Sequence, residues 1–285
     1  MSDGSSSFVY TPSEPPVDPT RPVKKQRMAR PAGEAEVSGK PVPWSPFAAV
    51  VYAVAVYFFA QVAGSMIVIL YPHLRGWDKA RANHWLDHTV VAQFWYVLAA
   101  EALTFGAIWW FIRQRGAGLR TLGWRRPRFK DAVHMLAGFL VYFLLYAAAL
   151  AVATQLFPSL NINQKQELGF DSASSANSLV LTFLSLVVLP PLVEETVFRG
   201  FVFGALRGKL KFVWATLLTS ALFASAHLQF GSGQPLLWVA AIDTFTLSLV
   251  LCYLREKTNS LWPGILLHAL KNALAFVTLF VIGHH

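Results

Sequence analysis

The stretch PLVEETVFRG, Pro191 to Gly200, sets two adjacent carboxylates and an arginine inside a run, residues 178–206, that is otherwise apolar enough to cross a membrane. Working outward from it, further apolar runs of the length that spans a bilayer core occur at 47–71, 89–112, 131–156, 212–229, 235–254 and 261–282. The chain is 55% hydrophobic and 14% charged over 285 residues, which excludes an ordinary soluble domain. The expected fold class is therefore all-α, a polytopic transmembrane helical bundle of about seven spans. An eighth arises if Pro190-Pro191, which removes two backbone donors and favours a kink, divides the fourth run into two helices.

The remaining segments differ in kind. Residues 1–43 are rich in Ser, Pro, Gly and charge and lack apolar periodicity, so they read as a disordered basic tail, leaving 44–285 as the membrane domain. No short apolar region followed by a small-residue cleavage site lies at the start, so no cleavable signal is expected. The single cysteine, Cys252, provides no disulfide framework.

A net charge of +9 raises nucleic acid as a partner, but its placement points to a lipid bilayer instead. With the connections numbered alternately from the tail, one set carries 18 basic residues and the other 4. That asymmetry follows the positive-inside pattern and predicts a cytoplasmic N-terminus and an external C-terminus. The basic face also attracts anionic lipid head groups.

Charges at membrane depth cost about 2.5–3.5 kcal/mol each on insertion scales, so they are informative. They are Glu101, Glu194, Glu195, Arg199, Asp243 and Lys271, joined by His227, His268 and Asn272. Glu195 and Arg199, spaced i and i+4, meet on one helix face and offset each other's burial. Glu194 then points about 100° away, toward a cavity. His227 and Phe223 in FASAH, and His268 and Asn272 in HALKN, repeat that spacing. If three helices turn these faces inward, a carboxylate, two imidazoles and an amide converge. At 1.5 Å per residue Glu194 lies about 20 Å from Arg207, His227 about 24 Å from Lys211 and His268 about 10 Å from Leu261, so a shared layer requires the fourth helix to bend and the seventh to start deep.

Each group also has a plainer reading. A Glu–Arg pair in a membrane helix serves as a structural clamp, and a lone histidine serves as a hydrogen bond between helices. Glu101 and Asp243 stand alone in sequence and read as interhelical hydrogen-bonding or protonated groups. Lys271 snorkels or pairs with an acid. Trp44, Trp77, Trp85, Trp124 and Trp262, near span ends, fit an interfacial belt.

EETVFRG (Glu194–Gly200), FASAH (Phe223–His227) and HALKN (His268–Asn272), in this order, resemble the EExxxR, FxxxH and HxxxN motifs of the CPBP family. This family groups CAAX prenyl endopeptidases of the Ras-converting type with bacteriocin-processing and abortive-infection membrane proteases. The resemblance covers about residues 110–283, with its motif core at about 178–283. Asp243 is an extra charge against the family pattern, and seven spans is one fewer than the prenyl endopeptidases commonly have.

The resemblance implies an intramembrane endopeptidase of a bacterial inner or cell membrane, acting on a membrane-associated protein or peptide, lipidated or not. Glu194 suits a general base toward water, and His227 suits holding that water or shuttling its proton. His268 and Asn272 suit hydrogen bonding to the oxyanion, with Glu195 and Arg199 as structural support. A metal version uses Glu194, His227 and His268 as ligands of a zinc ion with water in the open position, though the spread over three helices lacks the local signature of HExxH. A proton-coupled transporter and a non-catalytic immunity or scaffold protein of the same fold are the rival readings, the first disfavoured because no inverted repeat is present.

Overall fold

A computed structural model describes residues 42–164, 169–170, 172–229 and 235–283, and these fold into helices and connections without a strand. The helices are α1 Pro46–Leu74, α2 Lys79–His88, α3 Val90–Arg113, α4 Leu119–Leu122, α5 Phe129–Leu156, α6 Ala176–Arg207, α7 Phe212–Ala226, α8 Trp238–Thr258 and α9 Trp262–Ile282. Apart from Val42 and Pro43, the expected tail lies outside the described residues. Local chemistry marks the boundaries. The Ser45 hydroxyl caps α1 by accepting the Ala48 N–H at 3.1 Å, and the Asp131 carboxylate caps α5 by accepting the Arg128 N–H at 2.7 Å. α8 ends at Asn259, which adopts the left-handed conformation (φ 51°) that this residue type tolerates.

Six of these helices, α1, α3, α5, α6, α8 and α9, are long and apolar enough to cross a bilayer, making this an integral membrane protein. The expected fifth run forms α7, whose 15 residues reach about 22 Å, short of the roughly 30 Å hydrocarbon core. It is therefore too short to span the bilayer alone, and His227 follows directly at its end. α8 packs against α5, α7 and α9 and is the most buried span, whereas α1 and α5 turn Phe58, Phe59, Leu140 and Phe143 outward, as lipid-facing helices do.

The proline pair does not split the fourth run. α6 continues from Ala176 to Arg207 and absorbs the irregularity in two π-helical stretches, Leu184–Val188 and Thr196–Val202. The Leu186 carbonyl would take its hydrogen bond from residue 190 in an α-helix or from 191 in a π-helix, and both are prolines without an N–H. Asn272 of α9 fills the gap: its Nδ2 donates to that carbonyl at 2.9 Å.

Three basic connections, those between α3 and α5, α6 and α7, and α8 and α9, gather at one end of the bundle, where α1 begins. There the Leu261 N–H donates to the Gly123 carbonyl at 3.1 Å, Arg207 pairs with Glu256 at 3.0 Å, and the Trp44 indole donates to the Phe201 carbonyl at 3.3 Å. Trp44 is 7% exposed and stacks on Phe201 with ring centroids 5.2 Å apart, so it is a core residue and not part of an interfacial belt. Gly123 adopts φ +100°, a conformation that favours glycine, with the Arg255 guanidinium 2.9 Å from where a Cβ would stand.

Candidate active site

The i, i+4 pair forms as its spacing predicts. Arg199 Nη1 donates to Glu195 Oε1 at 2.8 Å, with both side chains fully buried. Two charges in apolar surroundings need more than each other, and they find it across helices. His268 of α9 places Nδ1 3.2 Å from the same Glu195 oxygen, and the Arg199 guanidinium lies 4.3 Å from the Phe223 ring centroid. α9 approaches this closely because position 264 is glycine: a Cβ there would stand 2.9 Å from Glu195 Oε2.

Glu195 fixes the chemistry of His268. A carboxylate oxygen engaged by an arginine only accepts, so His268 Nδ1 carries the proton and donates, leaving the Nε2 lone pair on the far side of the ring. That Nε2 is 3.8 Å from Glu194 Oε2, too far for a direct hydrogen bond. Glu194 Oε2 is buried and has no hydrogen-bond partner. Arg199, Glu195, His268 and Glu194 thus form a line that ends on one uncommitted carboxylate. His227 obeys the same logic, since its Nδ1 lies 2.8 Å from the Phe223 carbonyl, an acceptor, so Nε2 is again the free nitrogen.

Glu194 and His227 line a cavity of about 590 Å³ between α1, α3, α6 and α7. Val54 and Phe58, both exposed on α1, lie on its rim. Glu101 of α3, with Tyr57 and Gln61 of α1, adds to the polar lining, beside Thr104, Ser225 and Gln229. Glu101, Tyr57 and Gln61 lie far from the motifs in sequence, and the one signal that could have found them was Glu101 itself, an unpaired charge in an apolar run.

The depth problem resolves through a different reference point. A Cβ on Gly200 would meet Leu122 at 3.0 Å, and Leu261 bonds to neighbouring Gly123, so Gly200 and Leu261 share a level. Glu194 is six residues, about 9 Å, from the first, and His268 seven residues, about 10 Å, from the second. Measuring from Arg207 overstated the depth because the last turns of α6 run past this level.

The other expectations divide. Asp243 is an interhelical hydrogen-bonding group and Lys271 pairs with an acid, as expected: the Asp243 carboxylate receives Lys271 Nζ at 2.7 Å and the Tyr142 hydroxyl, tying α8 to α9 and α5. Asn272 is committed to Leu186 through one amide hydrogen. Among the described residues no three His, Cys, Asp or Glu side chains are grouped to hold a metal ion. The conditional zinc set of Glu194, His227 and His268 is thus not assembled: His268 Nε2 stands 3.8 Å from Glu194 Oε2, but His227 is not grouped with the two.

Residues 176–274 match the model of the family described as Type II CAAX prenyl endopeptidase Rce1-like, in keeping with the resemblance of the three motifs. An Escherichia coli protein named "Uncharacterized 24.3 kDa protein" is 35% identical over 98 residues, 33% of this chain and 42% of the relative. A Bacillus subtilis (strain 168) protein named "Putative membrane peptidase YdiL" is 30% identical over 90 residues, 32% of this chain and 34% of the relative. The matches therefore span less than half of either relative. No solved structure matches the chain at that level of significance.

Proposed function

We propose that this protein is an intramembrane endopeptidase that hydrolyses a peptide bond of a membrane-associated protein or peptide in the manner of CAAX-processing enzymes. The observation that carries the reading is the line from Arg199 through Glu195 and His268 to Glu194, which ends at a cavity also lined by His227. The Rce1-like match over the segment holding all five residues supports it.

The mechanism follows from which atoms remain free. A water entering the cavity meets two acceptors on its wall, the Glu194 carboxylate and the His227 Nε2, so its hydrogens are taken and its oxygen lone pair is left for a scissile carbonyl. Glu194 accepts the proton as that oxygen attacks. The proton then passes to the departing amine, with His227 beside the cavity to relay it. His268, its Nδ1–H held by Glu195, stabilises positive charge on its ring when Nε2 takes a proton, and the second amide hydrogen of Asn272 remains for the oxyanion. The apolar rim at Val54 and Phe58 suits a substrate arriving from the bilayer, lipidated or not.

His227→Ala tests the relay. In protein reconstituted into vesicles, cleavage of a fluorogenic peptide is expected to fall about a hundredfold, the lower range for one acid–base group, with no loss of thermal stability. Activity near that of wild type removes His227 from the mechanism.

Orientation is part of the same proposal. Because the basic connections cluster at one end, that end faces the cytoplasm of the host bacterium, and the chain before α1 lies on that side. In a Cys252→Ser background, an impermeant maleimide is expected to label Asn161→Cys in intact cells but Arg126→Cys only after permeabilisation; both positions are exposed. The reverse pattern overturns the orientation.

A further inference from the structure

Glu101 is the one carboxylate of the cavity that the proposed mechanism leaves unused. It lies on α3, outside the segment matched to the family. Three other acids of the spans have a cation of their own, Glu195 with Arg199, Asp243 with Lys271 and Glu256 with Arg207, and Asp131 caps the start of α5. Among the described residues, neither Glu101 nor Glu194 has a lysine or arginine partner, and both face the same cavity. An uncompensated carboxylate at membrane depth is costly, and sequences retain one there when something else supplies the counter-charge.

Among the described residues nothing supplies it. No hydrogen bond joins Glu101 to Glu194, so the two do not share a proton directly. The walls around them include the rings of Tyr57, Phe58 and Phe198, and aromatic faces attract cations, most strongly away from water. Two carboxylates and three rings around an open volume make a lining that favours a positively charged guest.

We propose that Glu101 is a specificity-determining residue that receives the ammonium or guanidinium group of a lysine or arginine close to the bond being cut. The substrates are then membrane-associated segments with a basic residue beside the scissile peptide. The inference rests on the endopeptidase reading, which assigns Glu194 to the water and leaves Glu101 to the substrate.

The test uses the full-length protein in vesicles and fluorogenic peptides with one position varied among Lys, Gln and Glu across the cleaved region. Wild type is expected to cut the best Lys peptide with kcat/KM about tenfold or more above its Gln counterpart, the scale of one shielded charge pair. Glu101→Gln should bring that ratio to near parity, and Glu101→Lys should shift preference to the Glu peptide. A ratio unchanged by Glu101→Gln, or no preference in wild type, overturns the proposal. If wild type cuts no peptide, the endopeptidase reading fails separately, and photo-crosslinking decides: stronger labelling by Lys than by Gln peptides that depends on Glu101 sustains a cation-binding cavity, and equal labelling overturns that as well.

Discussion

Glu194→Gln is expected to lower peptide hydrolysis by about a thousandfold, within the range for loss of a positioned general base, while yield, insertion and melting temperature stay at wild-type values. The amide has the shape of the carboxylate but cannot take a proton from water. Stability should not change, because Glu194 Oε2 makes no hydrogen bond that the substitution would break, and its one close imidazole is 3.8 Å away. The check is kcat/KM in vesicles alongside a thermal unfolding scan. A variant within tenfold of wild type would move the base elsewhere, Glu101 being the other carboxylate on the cavity wall.

Arg199→Ala has a different signature. Removing one member of a buried pair leaves the other charge uncompensated, at a cost of about 3–5 kcal/mol, which lowers the melting temperature by roughly 10 °C in a domain of this size. Here the loss also strips the cation from the Phe223 face and loosens the anchor of His268, so activity falls with stability. Replacing both partners separates the effects. Arg199→Met with Glu195→Leu removes the charge problem and should recover much of the stability. Activity should stay lost, because His268 Nδ1 no longer has an acceptor. A double variant that regains turnover would reduce Glu195 to a clamp for Arg199.

What the sequence made legible was whatever depends on neighbours along one helix. The apolar runs located the spans, and the four-residue spacing paired Glu195 with Arg199. Contacts between helices were not legible. Glu195 shows its clamp role locally, but its grip on His268 depends on how closely α9 approaches, which Gly264 permits. Glu101 and Asp243 looked alike as single charges in apolar runs, yet one meets Lys271 and the other a cavity. Asn272 read as an oxyanion donor because it shares a face with His268. Its first partner is instead the Leu186 carbonyl, freed by prolines on a different helix.

The central claim is that this cavity hydrolyses peptide bonds in membrane proteins, and it is met most directly by sequencing the chain termini present in the membranes of cells that make the protein. Cells with wild type should contain new N- and C-termini within or beside membrane segments, in matching pairs from single cuts. Cells making equal amounts of Glu194→Gln should lack them and accumulate the uncut precursors. Identical sets of termini in the two, with both proteins inserted and folded, would contradict the account.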